Sequence, residues 1–198
     1  MSLHTAEAPS DRRSVRTRNA LRGALIQLIA ERGWDDIAVQ DVCERANVGR
    51  STFYSHFPNK DALLLGSLDD LRVELIRQAD SRAAANRDGN EGAQGFRFAL
   101  GLIEYAHEQR KVFRGMIGRR SGFVVQQRFR EMVIRLVTDE LPPATGKLPR
   151  AAVARWIAAA FVEILAWWVE QRSPMSPVEL EAVFNQLSRP LLDGWRRS

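Results

Sequence analysis

Cysteine and histidine are scarce in this sequence of 198 residues. The single cysteine, Cys43, excludes an intramolecular disulfide and a multi-cysteine zinc site. The three histidines, His4, His56 and His107, lie far apart in sequence, which argues against a histidine cluster for metal binding or catalysis. We therefore predict neither a metal site nor a cofactor.

Long hydrophobic runs are also lacking. The most apolar stretch, Val153–Val169, is shorter than the roughly 20 residues of a membrane span. It also contains Arg155 and Glu163, whose charges are costly in lipid. The start of the chain, Met1–Pro9, is polar and has no apolar core of a signal peptide. These absences predict a soluble, cytoplasmic protein without a membrane partner.

Sequence motifs of common enzymes are absent. There is no glycine-rich dinucleotide motif, no phosphate-binding loop and no nucleophile elbow. Glu104 and His107 have the spacing used in di-iron bundles, but that site needs a second such pair and none occurs. We interpret them as an exposed pair and predict that the protein is not an enzyme. The net charge of +5 indicates instead a nucleic-acid or acidic partner, although charge alone is weak support.

Strand patterns are nearly absent, whereas apolar residues recur at helical spacing along the chain. The first helical face consists of Leu21, Ala24, Leu25, Leu28 and Ile29. This helix is predicted to end at Gly33. Polar or Gly/Pro-containing breaks follow at 87–92, 118–122 and 142–146, and Ser176–Glu179 is a capping box for the last helix. The pattern predicts an all-α fold of about nine helices.

Two short helices and a tight turn form a helix-turn-helix pattern. They are predicted at Val39–Ala46 and Arg50–Phe57, with Asn47–Gly49 between them. In the second helix, Phe53 and Phe57 take the inward positions. The outward positions carry hydrogen-bonding groups and no acid: Arg50, Ser51, Thr52, Tyr54 and His56. Such a face suits base edges and phosphates; the alternative is an ordinary solvated helix.

Residues from about 16 to 64 resemble the DNA-binding domain of the TetR family of transcriptional regulators. The matching segments are Ala24–Trp34 and Val39–Leu63. Their most specific part reads Thr-Phe-Tyr-x-His-Phe-x-Asn-Lys, residues 52–60. The resemblance implies a DNA-binding domain at 1–58, with a basic N-terminal arm, and a helical domain for effector binding and dimerisation at 59–198.

The resemblance also implies roles for individual residues. Positions expected to read bases are Gln40, Arg50, Ser51 and Thr52. Positions expected to contact phosphates are Thr17, Tyr54, His56 and Lys60. The chain departs from the family at Ala38, where a threonine often caps the second helix. The basic residues between 12 and 22 either contact DNA or form a solvated tail.

The C-terminal helices are expected to associate. The stretch 153–169 is apolar on several faces and so must be buried on several sides. Together with the last helix it resembles the family's four-helix dimer interface, and the expected interface residues are Phe161, Ile164, Trp168, Phe184, Leu187 and Leu191. The alternative is a purely intramolecular core. Candidate residues for an effector pocket are Phe96, Leu100, Ile103, Phe113, Phe129 and Val133.

A second basic run lies at 110–130, which contains no acid. Its basic members are Arg110, Lys111, Arg114, Arg119, Arg120, Arg128 and Arg130. It is interpreted either as a solvated face that pairs with Asp69, Asp70 and Glu74, or as a site for an anionic effector such as a carboxylate or acyl-thioester.

These observations lead to the hypothesis of a homodimeric transcriptional repressor. It would bind an inverted-repeat DNA operator through its third helix and be released by an unknown small-molecule effector. The alternative is a DNA-binding regulator or activator without an effector.

Overall fold

The computed structural model describes residues 9–85, 95–117, 122–143, 148–171 and 175–197. These residues form nine α-helices and no strand, which confirms the predicted all-α class for the described part of the chain. The helices are α1 (Pro9–Arg32), α2 (Val39–Ala46), α3 (Arg50–His56), α4 (Lys60–Ala85), α5 (Arg97–Glu108), α6 (Arg110–Ile117), α7 (Gly122–Glu140), α8 (Arg150–Glu170) and α9 (Pro177–Arg197). The predicted breaks at 87–92, 118–121 and 144–146 lie outside the described residues.

Local hydrogen bonds explain where several helices begin and end. Gly33 has a φ of 86°, and its N–H donates to the Ile29 carbonyl at the end of α1. The Asn59 side chain accepts the N–H of Ala62 at 2.8 Å at the start of α4. At the start of α9, Ser176 and Glu179 bond reciprocally. The helix ends predicted at Gly33 and at Ser176–Glu179 are therefore confirmed.

The core of the C-terminal part is built around α8, which packs against α5, α6, α7 and α9. The Phe161 ring lies edge-on to Phe98 at 5.3 Å and to Phe184 at 4.9 Å between centroids. The Trp168 indole donates to the Met175 carbonyl at 2.8 Å. α8 has the length and hydropathy of a membrane span, but these contacts make it the core helix of this domain.

These contacts correct the interface prediction for three of the six residues. Phe161, Trp168 and Phe184 are fully buried within a single chain, so no second subunit is needed to cover them. Ile164 and Leu191 are half-buried, and Leu187 is 61% exposed. Of the six expected interface residues, Ile164, Leu187 and Leu191 therefore remain available to a partner.

Helix α5 is capped from another helix. The Glu140 carboxylate at the end of α7 accepts the N–H of Arg97 at 2.6 Å and that of Phe98 at 3.1 Å. Burial raises the pKa of Glu140, while its hydrogen bonds to the two N–H groups act in the opposite direction. This carboxylate satisfies free donors of the helix start and joins α7 to α5.

The first three helices are attached to the rest of the chain in two places. One is α4, which continues from the helix-turn-helix into the C-terminal part. The other is a contact surface in which α6 packs along α1. Beside it, α7 starts at Gly122, which has a φ of 77°, and a side chain added there would lie 3.3 Å from Cβ of Trp34.

Candidate nucleic-acid interface

The orientation of α3 is set by two phenylalanines. Phe53 and Phe57 are buried, and Phe53 contacts the Tyr54 ring edge-on at 5.3 Å. Val42 and Cys43 anchor α2 in the same core. Because the inward positions are apolar, the polar positions of α3 must face outward. The inward assignment made from the sequence is confirmed.

The predicted DNA-contacting residues of α3 share one exposed surface. Arg50, Ser51, Thr52 and Tyr54 are exposed, and His56 is half-buried. Gln40 of α2 is exposed and lines an open groove together with Arg50 and Asn47, which we call the α2–α3 groove. Thr17 lies half-buried on α1. The contacts of these residues with DNA stay predictions.

Lys60 has intramolecular partners that the sequence did not reveal. Its ammonium donates to the carbonyl oxygens of Trp34 at 3.0 Å and Ile37 at 2.9 Å. It also lies 4.4 Å from the centroid of the Trp34 ring. An ammonium has three donors, so one N–H is left for the predicted phosphate contact.

The N-terminus of α2 is held without the hydroxyl cap that Ala38 lacks. The Asp41 carboxylate accepts the N–H of Ala38 at 2.7 Å, which lowers the pKa of Asp41. At the other end, Asn47 adopts the left-handed conformation with a φ of 52°, and its N–H donates to Glu44. The turn between α2 and α3 is thus fixed by backbone hydrogen bonds.

An acidic residue that sequence reasoning missed also lies at this interface. Glu44 lines the α2–α3 groove, and its Oε1 accepts a hydrogen bond of 2.9 Å from Nε2 of Gln40. The i, i+4 spacing of Gln40 and Glu44 in the sequence could have indicated this hydrogen bond.

The basic segment at 12–22 is part of α1 in the structure. Arg12, Arg13 and Arg16 are exposed along the helix. Arg22 instead pairs with Asp70 of α4 and lies 5.8 Å from the Phe57 ring. These residues are therefore helical rather than a disordered tail, and their contact with DNA stays a prediction; residues 1–8 lie outside the described part.

The expected ion pairs of the basic run 110–130 are also wrong. Asp69, Asp70 and Glu74 pair with Arg135, Arg22 and Arg77, which all lie outside the run. The pair with Arg77 and a bond from Gln78 lower the pKa of Glu74 to about 2. Arg110 donates to main-chain carbonyls at the end of α8, including that of Val169 at 2.9 Å. Arg119 and Arg120 lie outside the described residues.

The six candidate pocket residues pack closely together or against neighbours. Phe96, Ile103, Phe113, Phe129 and Val133 are buried, and Leu100 is half-buried. Nearby, a narrow cavity of about 20 Å³ lies between α1, α4, α5 and α6, and Phe113 lines it. This volume holds one water molecule rather than an organic effector.

Glu104, His107 and Cys43, which the sequence analysis also considered, each lie beside other groups of the fold. Glu104 pairs with Arg82, and His107 is exposed with its ring 5.6 Å from that of Trp168. Burial raises the pKa of the Cys43 thiol. Among the described residues, no group of three or more His, Cys, Asp and Glu side chains is arranged to hold a metal ion.

Comparison with known proteins places this interface in a family. The family model of bacterial regulatory proteins of the tetR family matches residues 21–66, which include α2 and α3. A solved TetR transcriptional regulator from Streptococcus agalactiae is 26% identical with a TM-score of 0.61, over 90% of this chain and 96% of that chain. Residues 21–66 therefore carry the helix-turn-helix domain of the tetR family of bacterial regulatory proteins.

Two further relatives show how far the likeness extends. The uncharacterized HTH-type transcriptional regulator YxbF from Bacillus subtilis is 38% identical over 71 residues, which are 35% of this chain and 19% of that relative's length. The transcriptional regulator FadR from Bacillus subtilis, solved in complex with stearoyl-CoA, is 17% identical with a TM-score of 0.61 over 85% of this chain and 96% of that one. FadR shares the fold. The chain thus spans about a fifth of the length of the curated relative YxbF, and the family match itself is to the helix-turn-helix segment at residues 21–66.

Proposed function

We propose that the protein is a homodimeric, cytoplasmic TetR-family repressor that binds an inverted-repeat operator and is released by a small-molecule effector. Residues 1–58 would bind DNA, and residues 59–198 would dimerise and bind the effector. The observation that carries the proposal is the exposed face of α3, where Arg50, Ser51, Thr52 and Tyr54 offer hydrogen-bonding groups and no acid. Arg50 at the start of α3 suits guanine O6 and N7.

Dimerisation is supported by apolar side chains on the outer side of α8 and α9. Trp167 is 49% exposed and Leu187 is 61% exposed, and the half-buried Ile164 and Leu191 lie on the same two helices. Exposed apolar patches of this kind mark association surfaces. A symmetric dimer would place two copies of α3 about 34 Å apart, in successive major grooves.

Release by an effector is supported by the fold shared with FadR, which was solved with stearoyl-CoA. In this chain the effector would enter among α5, α6 and α7, where Phe96, Ile103 and Phe129 supply apolar surface. Since these residues are closely packed, binding must separate the helices. A coupling of about 1–3 kcal/mol lowers operator occupancy 5- to 150-fold.

The same close packing favours a second candidate function. A regulator or activator without a small-molecule effector needs no cavity, and the described cavity holds about one water molecule. Calorimetric titration with acyl-thioesters and carboxylates distinguishes the two. Binding that weakens the DNA complex supports the effector-released repressor.

The DNA-binding role is tested by substitution of Arg50. A duplex selected by the wild-type protein from a random pool serves as the operator, and a shuffled duplex serves as the non-specific probe. Arg50→Ala is expected to cost about 1–3 kcal/mol on the operator and to relax preference at one position per half-site. Arg130→Ala, an exposed arginine on α7, is the matched control. Equal losses on both duplexes would make Arg50 a phosphate ligand, and failure of the wild type to enrich any sequence would refute the proposal.

A further inference from the structure

An acidic side chain lies on a surface that is otherwise suited to phosphate. Glu44 is exposed on α2 and lines the α2–α3 groove with Gln40 and Arg50. Within the described part of the chain no lysine or arginine forms an ion pair with it: the next residue, Arg45, pairs with Glu31 instead. The negative charge of Glu44 therefore weakens binding to any DNA backbone that approaches the groove.

The hydrogen bond between Gln40 and Glu44 determines which of their polar groups remain for a ligand. An ionised carboxylate only accepts hydrogen bonds, so the Gln40 group within 2.9 Å of Glu44 Oε1 must be the amide NH₂. The amide oxygen of Gln40 then remains as an acceptor for a ligand, and the second N–H of its NH₂ group remains as a donor. The second carboxylate oxygen of Glu44 is a further acceptor.

The main chain around Glu44 holds this arrangement in place. The Glu44 carbonyl accepts the N–H of Asn47 at 3.1 Å, and the Cys43 carbonyl accepts the N–H of Val48 at 2.9 Å. Cys43 and Val42 anchor the opposite face of α2 in the core. The acceptors of Gln40 and Glu44 thus lie about one turn apart on α2 and line the groove beside the start of α3.

We propose that Glu44 is a specificity-determining residue, which with Gln40 selects bases that present an exocyclic amino group in the major groove. Those groups are cytosine N4 and adenine N6, and both donate hydrogen bonds to such acceptors. Guanine O6 and N7 and thymine O4 are acceptors, so they would face the free carboxylate oxygen of Glu44 without a proton between them. The inference rests on the proposed reading of an operator: Arg50 would read acceptors, and Glu44 would read donors.

The test compares base preferences of matched variants. Wild type, Glu44→Gln and Glu131→Gln are each used to select duplexes from the same random pool. Glu131 is the control because it also accepts a hydrogen bond from a glutamine four residues earlier, Gln127, but lies on α7. Glu44→Gln has nearly the same size and removes one charge per subunit, and its thermal unfolding is measured beside the wild type.

Wild type and Glu131→Gln are expected to prefer the amino-bearing base by about tenfold at one position per half-site. Glu44→Gln is expected to lose most of that preference while it binds the shuffled duplex more tightly than wild type. The wild-type protein should also bind about tenfold more weakly to an operator in which this base is replaced by an analogue without the amino group. Gln40→Ala provides a second variant that retains the Glu44 charge.

Two outcomes overturn the inference. If Glu44→Gln strengthens binding to every duplex equally and keeps the wild-type preference, Glu44 is an unpaired surface charge and nothing more. If the selected position carries guanine or thymine opposite Glu44, the proposed chemistry is wrong. Failure of the proposed DNA-binding function can be distinguished from these two outcomes, because in that case the wild-type protein itself enriches no sequence from the pool.

Discussion

The Lys60 ammonium lies 4.4 Å from the centre of the Trp34 ring and donates to the Trp34 carbonyl. This contact joins the first turn of α4 to the loop between α1 and α2. Lys60 therefore contributes to folding as well as to the predicted phosphate contact.

We expect Lys60→Ala to lose about 1–3 kcal/mol of the free energy of unfolding, because charge-assisted hydrogen bonds to two carbonyls disappear. It should also weaken binding to all duplexes alike and lower the salt slope by about one unit per subunit. Urea denaturation and a salt titration measure the two effects. Lys111→Ala, an exposed lysine on α6, serves as the control. Unchanged stability with weaker binding would mean that the ammonium acts on DNA alone.

Leu187→Arg is expected to convert the proposed dimer to a monomer at micromolar concentration, because it places a charge on the apolar outer face of α9. Sedimentation velocity measures the change. Val73→Arg is the matched control, since Val73 of α4 is 60% exposed and Leu187 is 61% exposed. A monomeric wild type, or a Leu187→Arg variant that sediments as the wild type does, would contradict the proposed interface. A charge at Trp168 is not a useful test, because that residue is buried in the single chain.

The buried Cys43 thiol predicts a pH dependence of stability. Burial raises the pKa of this thiol in the folded state, although the Arg50 charge opposes the shift. The folded protein therefore holds the thiol proton more tightly than the unfolded chain does, and stability falls as the pH rises above the usual thiol pKa of about 8.5.

We expect this fall between pH 8 and 10 to be smaller in Cys43→Ala, as measured by urea denaturation at each pH. A thiol reagent at pH 8 should modify native Cys43 only as fast as the first three helices unfold. Rapid modification of the native protein at the rate of a free thiol would contradict the buried position.

The sequence predicts the helices and the inward face of α3 well, because local rules determine them. Helix ends such as Gly33, Asn59 and Ser176–Glu179 depend on hydrogen bonds within a few residues, and the buried Phe53 follows from periodicity. Gly33, Phe53 and Asn59 also lie in the segments on which the family resemblance depends.

Contacts between helices are much harder to predict from the sequence. Periodicity indicates that Trp168 lies on an apolar face, but it does not say whether the same chain or a partner covers that face. Ion pairs have the same difficulty: Arg135 of α7 reaches Asp69 of α4, across 66 positions of sequence. Arg110 binds main-chain carbonyls, and such a contact cannot be predicted from the pattern of side chains in the sequence.

The contact of Gly122 with Trp34 limits how the first three helices can move. A body attached at one point can turn about any axis through that point, whereas a body attached at two points turns only about the line that joins them. α4 provides one attachment, and α6 with the start of α7 provides the other. A displacement of α7 would therefore turn the first three helices mainly about this line, and in the proposed dimer it would change the distance between the two copies of α3.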